Sequence, residues 1–378
     1  MNRVEPFRPS SLIIGGGVVG LSLAYEFSCR GWRVRVIERG TCGREASWAG
    51  AGILPPANAA TALHPLDHLR ALSNRLHVEW SKRLLVETGI DNGLRRCGGI
   101  YLARSVGEAA LLAGLAETLR EEQIACRRLS AAELTTLEPG LERLATSDAF
   151  RAAYELPDEC QLRNPRHLRA LADACRRRGV EITENCEVQQ LVQESGRMKL
   201  IATTQGELTA DTYVLTAGPW SQKLLAHEQI TTGIFPMRGQ MVLFKCDEPP
   251  IRHVLNEGPR YLVPRDDGYL LAGSTEEEVG FDTSTTEEAI SELTDFAVDL
   301  VPALQKGRIE RTWSGLRPAS FDGLPYIGRM PGCENAFVAS GHFRSGLHLS
   351  TGTAVVLADL MSGLTPPLDL TPFRISRG

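Results

Sequence analysis

One segment near the start of the chain indicates its fold class, namely Ser11-Leu-Ile-Ile-Gly-Gly-Gly-Val-Val-Gly20. An apolar run of strand type passes into glycines spaced as Gly-x-Gly-x-x-Gly, and an amphipathic run with helical spacing continues to Gly31. A second apolar run, residues 34–37, closes on Glu38. Strand, tight turn, helix and second strand in this order form the context in which the glycine pattern predicts a dinucleotide-binding unit.

Each glycine of the pattern has a physical task. Gly15 permits the tight turn, Gly17 lets the backbone approach a pyrophosphate, and Gly20 lets the helix pack close to the strand. The helix N-terminus offers free N–H groups and the positive end of its dipole to the phosphates. Glu38, which lies 18 residues after Gly20, can accept hydrogen bonds from ribose hydroxyls and repel a 2′-phosphate.

A secretory signal is the competing interpretation of the same region, because Arg3 and Arg8 precede an uncharged stretch. Three consecutive glycines suit the apolar segment of a signal poorly, and no small-residue cleavage pattern follows before Glu26. The stretch is also too short to span a bilayer. We therefore expect a cytoplasmic protein with no membrane segment.

Composition limits the remaining classes of function. The 378 residues, 43% of them hydrophobic, can bury the cores of two domains. The net charge of −5 does not favour nucleic acid or an anionic membrane as a partner. The nine cysteines are scattered and form no C-x-x-C pair, so we expect no disulfide framework and no metal site.

The pattern along the chain predicts an α/β fold built from discontinuous pieces. After Glu38 the chain enters a small-residue loop, Ser47–Leu54, and not another parallel strand. We expect helices over about 65–88, 108–122, 164–178, 286–300 and 349–361, and an antiparallel alternation between 239 and 273. A Rossmann-like dinucleotide-binding domain is predicted over 1–85, 150–225 and 310–378. A mainly antiparallel α+β substrate domain is predicted over 86–149 and 226–309.

Seven stretches, spread in order over nearly the whole chain, resemble a known family. They are Ile13–Gly20 with Glu38, Ser47–Leu54, Val214–Ser221, Tyr261–Pro264, Leu271–Thr275, Gly315–Pro318 with Asp322-Gly323, and Gly341–Gly346. With them the chain resembles the flavin-dependent amine oxidases of the D-amino-acid oxidase superfamily, and within it the glycine oxidases. The resemblance implies FAD as the cofactor of the predicted dinucleotide-binding domain.

The resemblance also implies which residues contact FAD. Beside the fingerprint glycines they are Val18 and Val19 at the pyrophosphate, Glu38 and Arg39 near the adenosine, Val188 at the adenine, Ala46, Ser47, Ala51, Gly52 and Ile53 near the flavin, and His342, Phe343, Arg344, Ser345, Gly346, Leu347 and His348 along the isoalloxazine. Backbone N–H groups of the last segment can face the flavin N1–C2=O edge and stabilise negative charge there.

Three residues are the candidates for binding substrate. By motif position Arg317 grips the amino-acid carboxylate, with Tyr261 as a hydrogen-bonding partner and Arg344 close by. The planar guanidinium can bind a carboxylate through two parallel hydrogen bonds. Taken alone, each arginine could equally be a surface ion-pair residue, and Tyr261 a core aromatic. No catalytic base is implied, and His342 is interpreted as a structural or flavin-adjacent residue.

Two further features bear on the cofactor and the substrate. In the sarcosine-oxidase-like branch a cysteine near the segment that here reads Gly315–Asp322 attaches the flavin covalently, but this segment contains no cysteine, so noncovalent FAD is expected. Glu276 opens a Glu-Glu-Glu run where relatives carry an apolar residue. It is either part of a solvated loop or a carboxylate facing the pocket, where it would disfavour acidic substrates.

The implied activity is oxidative deamination of glycine, other small amines or D-amino acids. O₂ would be reduced to H₂O₂, the imine would hydrolyse to a 2-oxo acid and ammonia, and the glycine imine would supply thiamine thiazole synthesis. A homo-oligomer is implied as well. Three alternatives stay open: a D-amino-acid dehydrogenase that reduces a quinone, a flavin domain acting on modified tRNA, and a flavoprotein without enzymatic activity.

Overall fold

The structure is a computed structural model and describes residues 9–226 and 228–377. Arg3 and Arg8 therefore lie outside the described residues. The α-helices described are α1 (Val18–Cys29), α2 (Ala46–Ala49), α3 (Pro65–Thr88), α4 (Val106–Glu121), α5 (Ala131–Leu137), α6 (Glu142–Ala145), α7 (Asn164–Arg177), α8 (Ser221–Ala226), α9 (Glu287–Leu300) and α10 (Gly346–Met361). None of these helices is long and apolar enough to cross a membrane.

Strands build four sheets within the same residues. They are β1 (Ser10–Ile14), β2 (Arg33–Ile37), β3 (Ile53–Leu54), β4 (Arg95–Arg96), β5 (Gly99–Ala103), β6 (Arg127–Leu129), β7 (Ala152–Leu156), β8 (Cys160–Gln161), β9 (Glu181–Thr183), β10 (Val188–Glu194), β11 (Arg197–Thr203), β12 (Gly206–Leu208), β13 (Thr212–Leu215), β14 (Phe235–Lys245), β15 (Val254–Glu257), β16 (Arg260–Pro264), β17 (Tyr269–Gly273), β18 (Arg308–Ala319), β19 (Tyr326–Arg329) and β20 (Ala336–Ser340). Two of the sheets are large, and the site lies where they meet.

The first large sheet is the dinucleotide-binding sheet that the glycine pattern predicts. Its order is β19-β20-β13-β1-β2-β9, with every pair parallel except β19–β20. The central strand β1 runs Leu12–Ile14 through the core with at most 5% of each side chain exposed. A strand covered on both faces needs such a continuous apolar run, which explains why the sequence shows no alternation here.

Helices α1, α3, α7 and α10 cover one face of this sheet and share one apolar core with it. Helix α3 begins at Pro65, whose fixed φ suits the first helical position, and ends before Gly89 at φ 73°. On the other face lies the small antiparallel sheet β10-β11-β12, which packs through Leu191, Met198 and Ile201. The α/β class predicted from the sequence is confirmed.

The second large sheet has the order β18-β14-β17-β16-β15-β5-β7-β6. All its pairs are antiparallel except β5–β15. Helices α5, α6 and α9 bury one face. The opposite face carries a smaller apolar cluster that includes Met241, Tyr261 and Ala51, the last from the loop after β2. This face therefore looks toward the dinucleotide-binding sheet.

The division into two domains stays a proposal. Two strands of the eight-stranded sheet extend beyond the predicted boundaries at 150 and 310, namely β7 at 152–156 and most of β18 at 308–319. By sheet membership we would place both with the substrate domain. Strand pairing depends on residues far apart in sequence, so local patterns do not reveal which sheet a strand joins.

Candidate active site

A cavity of about 520 Å³ lies between the two large sheets. Residues of the glycine turn, of the loop 45–55, of the segment 342–348 and of the eight-stranded sheet line it. This size falls within the range usual for pockets that take a small ligand or part of a cofactor. All the predicted cofactor and substrate residues except Gly20 line this one cavity.

The glycine turn is packed too tightly for side chains. A Cβ on Gly15, whose φ is +111°, would stand 2.6 Å from the Thr216 carbonyl oxygen. A Cβ on Gly20 would stand 2.0 Å from the Gly15 carbonyl oxygen and 2.7 Å from Thr216 Oγ1. Gly20 therefore acts by letting α1 approach β1 and β13, and it does not itself line the cavity.

The N-terminus of α1 is suited to phosphate. Its N-cap is Gly17, which has no side chain to cap the helix, and no acidic residue occupies the first turn. The Val18 N–H donates to Ser47 Oγ at 2.9 Å, which ties the turn to the loop after β2. Apart from the Val18 N–H, the first N–H groups of α1 have no side-chain acceptor among the described residues, so they remain donors for an anion such as a pyrophosphate.

Glu38 lies at the end of β2 with its carboxylate held by the backbone. Oε2 accepts from the Gly16 N–H at 2.8 Å and Oε1 from the Gly40 N–H at 2.9 Å. Each oxygen retains a lone pair for a ribose hydroxyl. Beside it, the Arg39 guanidinium stacks 3.5 Å from the centre of the Trp220 ring. Arg39, Val188 and Trp220 thus border one end of the cavity, where the adenosine is expected.

The loop over residues 46–53 is fixed by two polar residues that the sequence did not single out. Asn164 Nδ2 donates to the Ser47 carbonyl oxygen at 2.8 Å, and its buried Oδ1 has no hydrogen-bond partner among the described residues. Arg265 Nη2 donates to the Ala51 carbonyl oxygen at 2.6 Å. Burial lowers the pKa of Arg265 to about 9. The unpartnered oxygen beside the cavity suits a cofactor group that donates a hydrogen bond.

The segment from His342 to His348 turns into the N-terminus of α10, which begins at Gly346 without a side-chain cap. Its first N–H groups therefore point to the cavity wall that this segment forms. His342 Nε2 lies 3.0 Å from Thr353 Oγ1, and burial lowers the pKa of His342 to about 3. His342 is therefore neutral and hydrogen-bonded at physiological pH.

Arg317 is a partly buried cation without a carboxylate partner among the described residues. Nη2 donates to Ser274 Oγ at 2.7 Å and Nη1 to the Thr275 carbonyl oxygen at 3.0 Å. Burial lowers the pKa of the guanidinium, opposed in part by the neighbouring Tyr261. Arginine still keeps its proton at neutral pH. A partly buried cation whose side-chain partners are neutral oxygens attracts an anionic ligand.

Arg344, in contrast, is neutralised. It forms an ion pair with Glu276 and donates to the Pro259 carbonyl oxygen at 2.9 Å. Its guanidinium lies 5.9 Å from the centre of the Tyr261 ring. Of the two alternatives for Glu276, the geometry favours the solvated loop, because the residue is exposed and does not itself line the cavity. It reaches the site only through Arg344, its ion-pair partner, which does line the cavity.

Sequence reasoning missed several residues of the cavity wall. Gly239, Met241, Tyr101 and Asn256 all line it. Period-two alternation could have placed Gly239 and Met241 on one face of a strand. In the structure Gly239 and Met241 lie opposite Gly315 and Trp313 on β18. The alternation could not have predicted this, because the register of two strands depends on long-range pairing.

The residues present fit FAD. The N-terminus of α1 is suited to the pyrophosphate, and the Glu38 carboxylate is suited to the ribose. The unpartnered Asn164 Oδ1 lies beside the loop expected to hold the flavin, and the N-terminus of α10 can face the edge of the flavin ring. The described residues contain no group of three or more His, Cys, Asp or Glu side chains that could hold a metal ion.

Comparison with known proteins agrees with this geometry. The family described as DAO, FAD dependent oxidoreductase, matches residues 11–360. The chain is 35% identical to a glycine oxidase of Pseudomonas putida over 96% of its length and 97% of the relative. It is 33% identical to the bifunctional protein ThiO/ThiG of Synechocystis, over 93% of this chain and 51% of that protein. The crystal structure of glycine oxidase from Geobacillus kaustophilus superposes with a TM-score of 0.92 at 32% identity, covering 98% of this chain and 99% of that one.

Proposed function

The chain belongs to the DAO family of FAD-dependent oxidoreductases, and on that premise we propose that it oxidises glycine and similarly small amino acids with O₂. The amine is converted to the imine while O₂ is reduced to H₂O₂. Water then hydrolyses the free imine to the 2-oxo acid and ammonia. FAD, when bound, supplies the acceptor for the hydride that leaves the substrate α carbon.

The observation that carries the proposal is Arg317. A carboxylate that enters the cavity displaces no anion from this guanidinium, which at present donates only to Ser274 Oγ and to backbone carbonyl oxygens, so it would add a charge-assisted pair. Tyr261 lies beside it and is itself buried, with its hydroxyl 3.5 Å from the Met241 sulfur. These two residues fix one end of the substrate and leave its α carbon to be oriented by the rest of the wall.

The side chains that line the cavity are consistent with transfer of a hydride from the substrate without a protein base. The two histidines of the 342–348 segment are buried, and burial lowers the pKa of both well below the ordinary value. Their main partners are neutral, Thr353 for His342 and Asn74 for His348. The protein's contribution is then to position the substrate and to exclude water from a largely buried site.

A role in supplying imine for thiamine thiazole synthesis belongs to the same proposal. It is supported by the identity to glycine oxidases and to the ThiO/ThiG protein. The reaction gives the imine directly, so a second enzyme that consumes glycine imine would have to capture it before hydrolysis. Capture can be tested by following whether glyoxylate disappears from the products when such an enzyme is present.

The decisive experiment is anaerobic reduction of the bound flavin by a panel containing glycine, sarcosine, D-alanine and a carboxylate-free amine. Carboxylate-bearing amines should bleach the oxidised flavin absorbance, and admitting air should restore it with stoichiometric H₂O₂. If no amine reduces the flavin, the proposal is wrong. If reduction occurs but air reoxidises the flavin slowly while a quinone analogue does so quickly, the protein is a dehydrogenase.

A further inference from the structure

Arg265, which directly follows β16, is a buried arginine held only by neutral oxygens. Nη1 donates to Gln161 Oε1 at 2.6 Å and to the Leu162 carbonyl oxygen at 3.1 Å. Nη2 donates to the Ala51 carbonyl oxygen at 2.6 Å. No carboxylate of the described residues is paired with it. A buried charge without a counter-charge is costly, so the protein keeps this cation inside at the expense of stability.

The charges around Arg265 do not neutralise it. Arg95 forms an ion pair with Asp266, and Arg163 forms one with Asp267. Both aspartates are more exposed to water than the Arg265 guanidinium is. The pKa of Arg265, lowered to about 9 by burial, still leaves it protonated at neutral pH. An excess positive charge therefore remains at Arg265, where water screens it little.

The loop over residues 46–53 has every second carbonyl group from 47 to 51 held by a side-chain N–H. The donors are Asn164 to Ser47, Trp313 to Ala49 at 3.1 Å, and Arg265 to Ala51. Of these three donors only Arg265 carries a charge, and a charged donor makes the stronger hydrogen bond. Arg265 does not line the cavity, whereas Ala51 does. The charge thus acts on the loop from behind.

The peptide group between Ala51 and Gly52 passes this effect toward the cavity. It is trans, so the Gly52 N–H points opposite to the Ala51 carbonyl group and away from Arg265. This N–H has no acceptor among the described residues, and Gly52 lines the cavity. The Gly52 carbonyl oxygen accepts from the Leu162 N–H at 2.8 Å, which fixes the orientation of the segment. The N–H is therefore a free and oriented donor.

Glycine is required at position 52 for the same reason. A Cβ on Gly52, whose φ is +77°, would stand 2.0 Å from the Leu162 carbonyl oxygen. The backbone conformation that orients the N–H is thus accessible to glycine and strained for other residues.

A flavin gains from both the charge and the N–H. A hydride brings two electrons and one proton, so a neutral oxidised flavin that accepts it acquires one negative charge. A cation fixed in the interior stabilises that negative charge without reorganising. The same cation polarises the peptide group that it contacts, which makes the Gly52 N–H a stronger donor. The two effects have the same sign, and both favour the reduced flavin.

We propose that Arg265 is a positioning residue for the cofactor, which directs a polarised Gly52 N–H to the flavin and raises the reduction potential of the flavin through its uncompensated charge. Arg265 itself contacts neither substrate nor flavin. A higher potential favours transfer of electrons from an amine to the flavin. The inference concerns the cofactor and requires no particular substrate, so it goes beyond the proposed oxidation of small amino acids.

The test measures the reduction potential of the bound FAD in the holoenzyme, by equilibration with redox dyes and without any amine. Gln161→Glu is the sharpest variant, because it places a carboxylate against Nη1 and leaves the bond from Arg265 to Ala51 intact. Beside a guanidinium that carboxylate is ionised. The equilibrium constant for reduction should fall at least about tenfold, which for two electrons is about 30 mV.

Gln190→Glu is the matched control. It adds the same charge on β10, where Gln190 is exposed, and should leave the potential unchanged. Arg265→Gln removes the cation and should lower the equilibrium constant at least about tenfold. Arg265→Lys keeps the charge but loses the planar fork, so its potential should lie closer to that of the wild type. The Kd of FAD, from quenching of its fluorescence by apoprotein, reports structural damage separately.

The outcomes distinguish charge from structure. If Gln161→Glu holds FAD and keeps the wild-type potential, the inference is wrong and Arg265 is merely structural. An equal shift in Gln190→Glu also overturns it, because overall charge would then be the cause. If Gln161→Glu does not retain flavin, the comparison of Arg265→Lys with Arg265→Gln decides. Loss of flavin from all three of these variants indicates a structural role and overturns the inference. If no amine reduces the wild-type flavin, the proposed function fails, but the potentials still decide the role of Arg265.

Discussion

The guanidinium of Arg317 lies directly over Gly239, so close that an ideal Cβ on Gly239 would stand 2.1 Å from Nη2 and 2.3 Å from both Nη1 and Cζ. Gly239 sits on β14 opposite Gly315, two residues from Arg317 on β18. The missing side chain is what allows the arginine to lie flat against the sheet and point to Ser274 and Thr275.

Gly239→Ala should displace the Arg317 guanidinium without removing it. We expect KM for glycine to rise about tenfold or more, because the charge-assisted pair with the substrate carboxylate loses its geometry. Steady-state kinetics of the flavin-loaded protein measure this. Gly114→Ala is the control, since nothing lies within 4 Å of a Cβ at Gly114 on α4. A Gly239→Ala variant with wild-type KM would show that Arg317 is not the carboxylate anchor.

Replacing Arg317 with leucine should raise KM for glycine by about two orders of magnitude, because a buried charge-assisted pair is lost. Oxidation of an amine that has no carboxylate should change far less, which provides an internal control for the fold. Arg317→Lys should recover part of the binding, since a single ammonium replaces the planar fork. An unchanged glycine KM in the leucine variant would place the anchor elsewhere.

Glu276→Gln should free Arg344, which lines the cavity and is paired with Glu276. Substrates or inhibitors with a second carboxylate should then bind about two- to fivefold more tightly, a modest gain because the pair is partly exposed to solvent. The inhibition constant of iminodiacetate, measured at low salt, reports the change. Glu278→Gln removes an exposed carboxylate from the same loop and should have no effect. Equal effects of the two variants would indicate only a change in overall charge.

Burial of Glu159 should make stability depend on pH. Desolvation raises the pKa of Glu159 from the ordinary 4.5 to about 7. Between these values the folded protein keeps a proton that the unfolded chain releases. The free energy of unfolding therefore falls as pH rises through this window, by about 3 kcal/mol for this residue.

Urea unfolding of the wild-type protein and Glu159→Gln measures this dependence, since glutamine does not titrate. The wild-type protein should lose stability relative to the variant between about pH 5 and about pH 8. The other carboxylates are common to both proteins and cancel in the comparison. A difference in unfolding free energy that stays constant over this range would show that Glu159 titrates normally.

Local sequence patterns were sufficient for much of the fold. The predicted helix 65–88 coincides with α3, and the antiparallel alternation predicted between 239 and 273 contains β16 and β17. Proline at a helix start, glycine at its end and alternation along a strand are short-range signals, so a single sequence carries them. The glycine turn and Glu38 are likewise local, and both border the cavity.

Only some of the residues at the substrate end of the cavity could be predicted from the sequence. Arg317, Tyr261 and Arg344 came from motifs, but Tyr101, Asn256 and Glu159 carry no motif of their own. Their proximity depends on the pairing of β5 with β15, which joins residues about 155 positions apart. The partnership of Arg344 with Glu276 depends in the same way on where the loop after β17 lies.

The parallel pair β5–β15 divides the eight-stranded sheet into two antiparallel blocks, one from residues 99–156 and one from residues 235–319. Tyr101 belongs to the first block, whereas Asn256, Tyr261 and Arg317 belong to the second. A shift of one residue at this seam would turn Tyr101 to the opposite face of the sheet. The register of β5 against β15 therefore decides whether Tyr101 faces the cavity, so inserting one residue into β5 would change this part of the cavity wall while leaving Tyr261 and Arg317 in place.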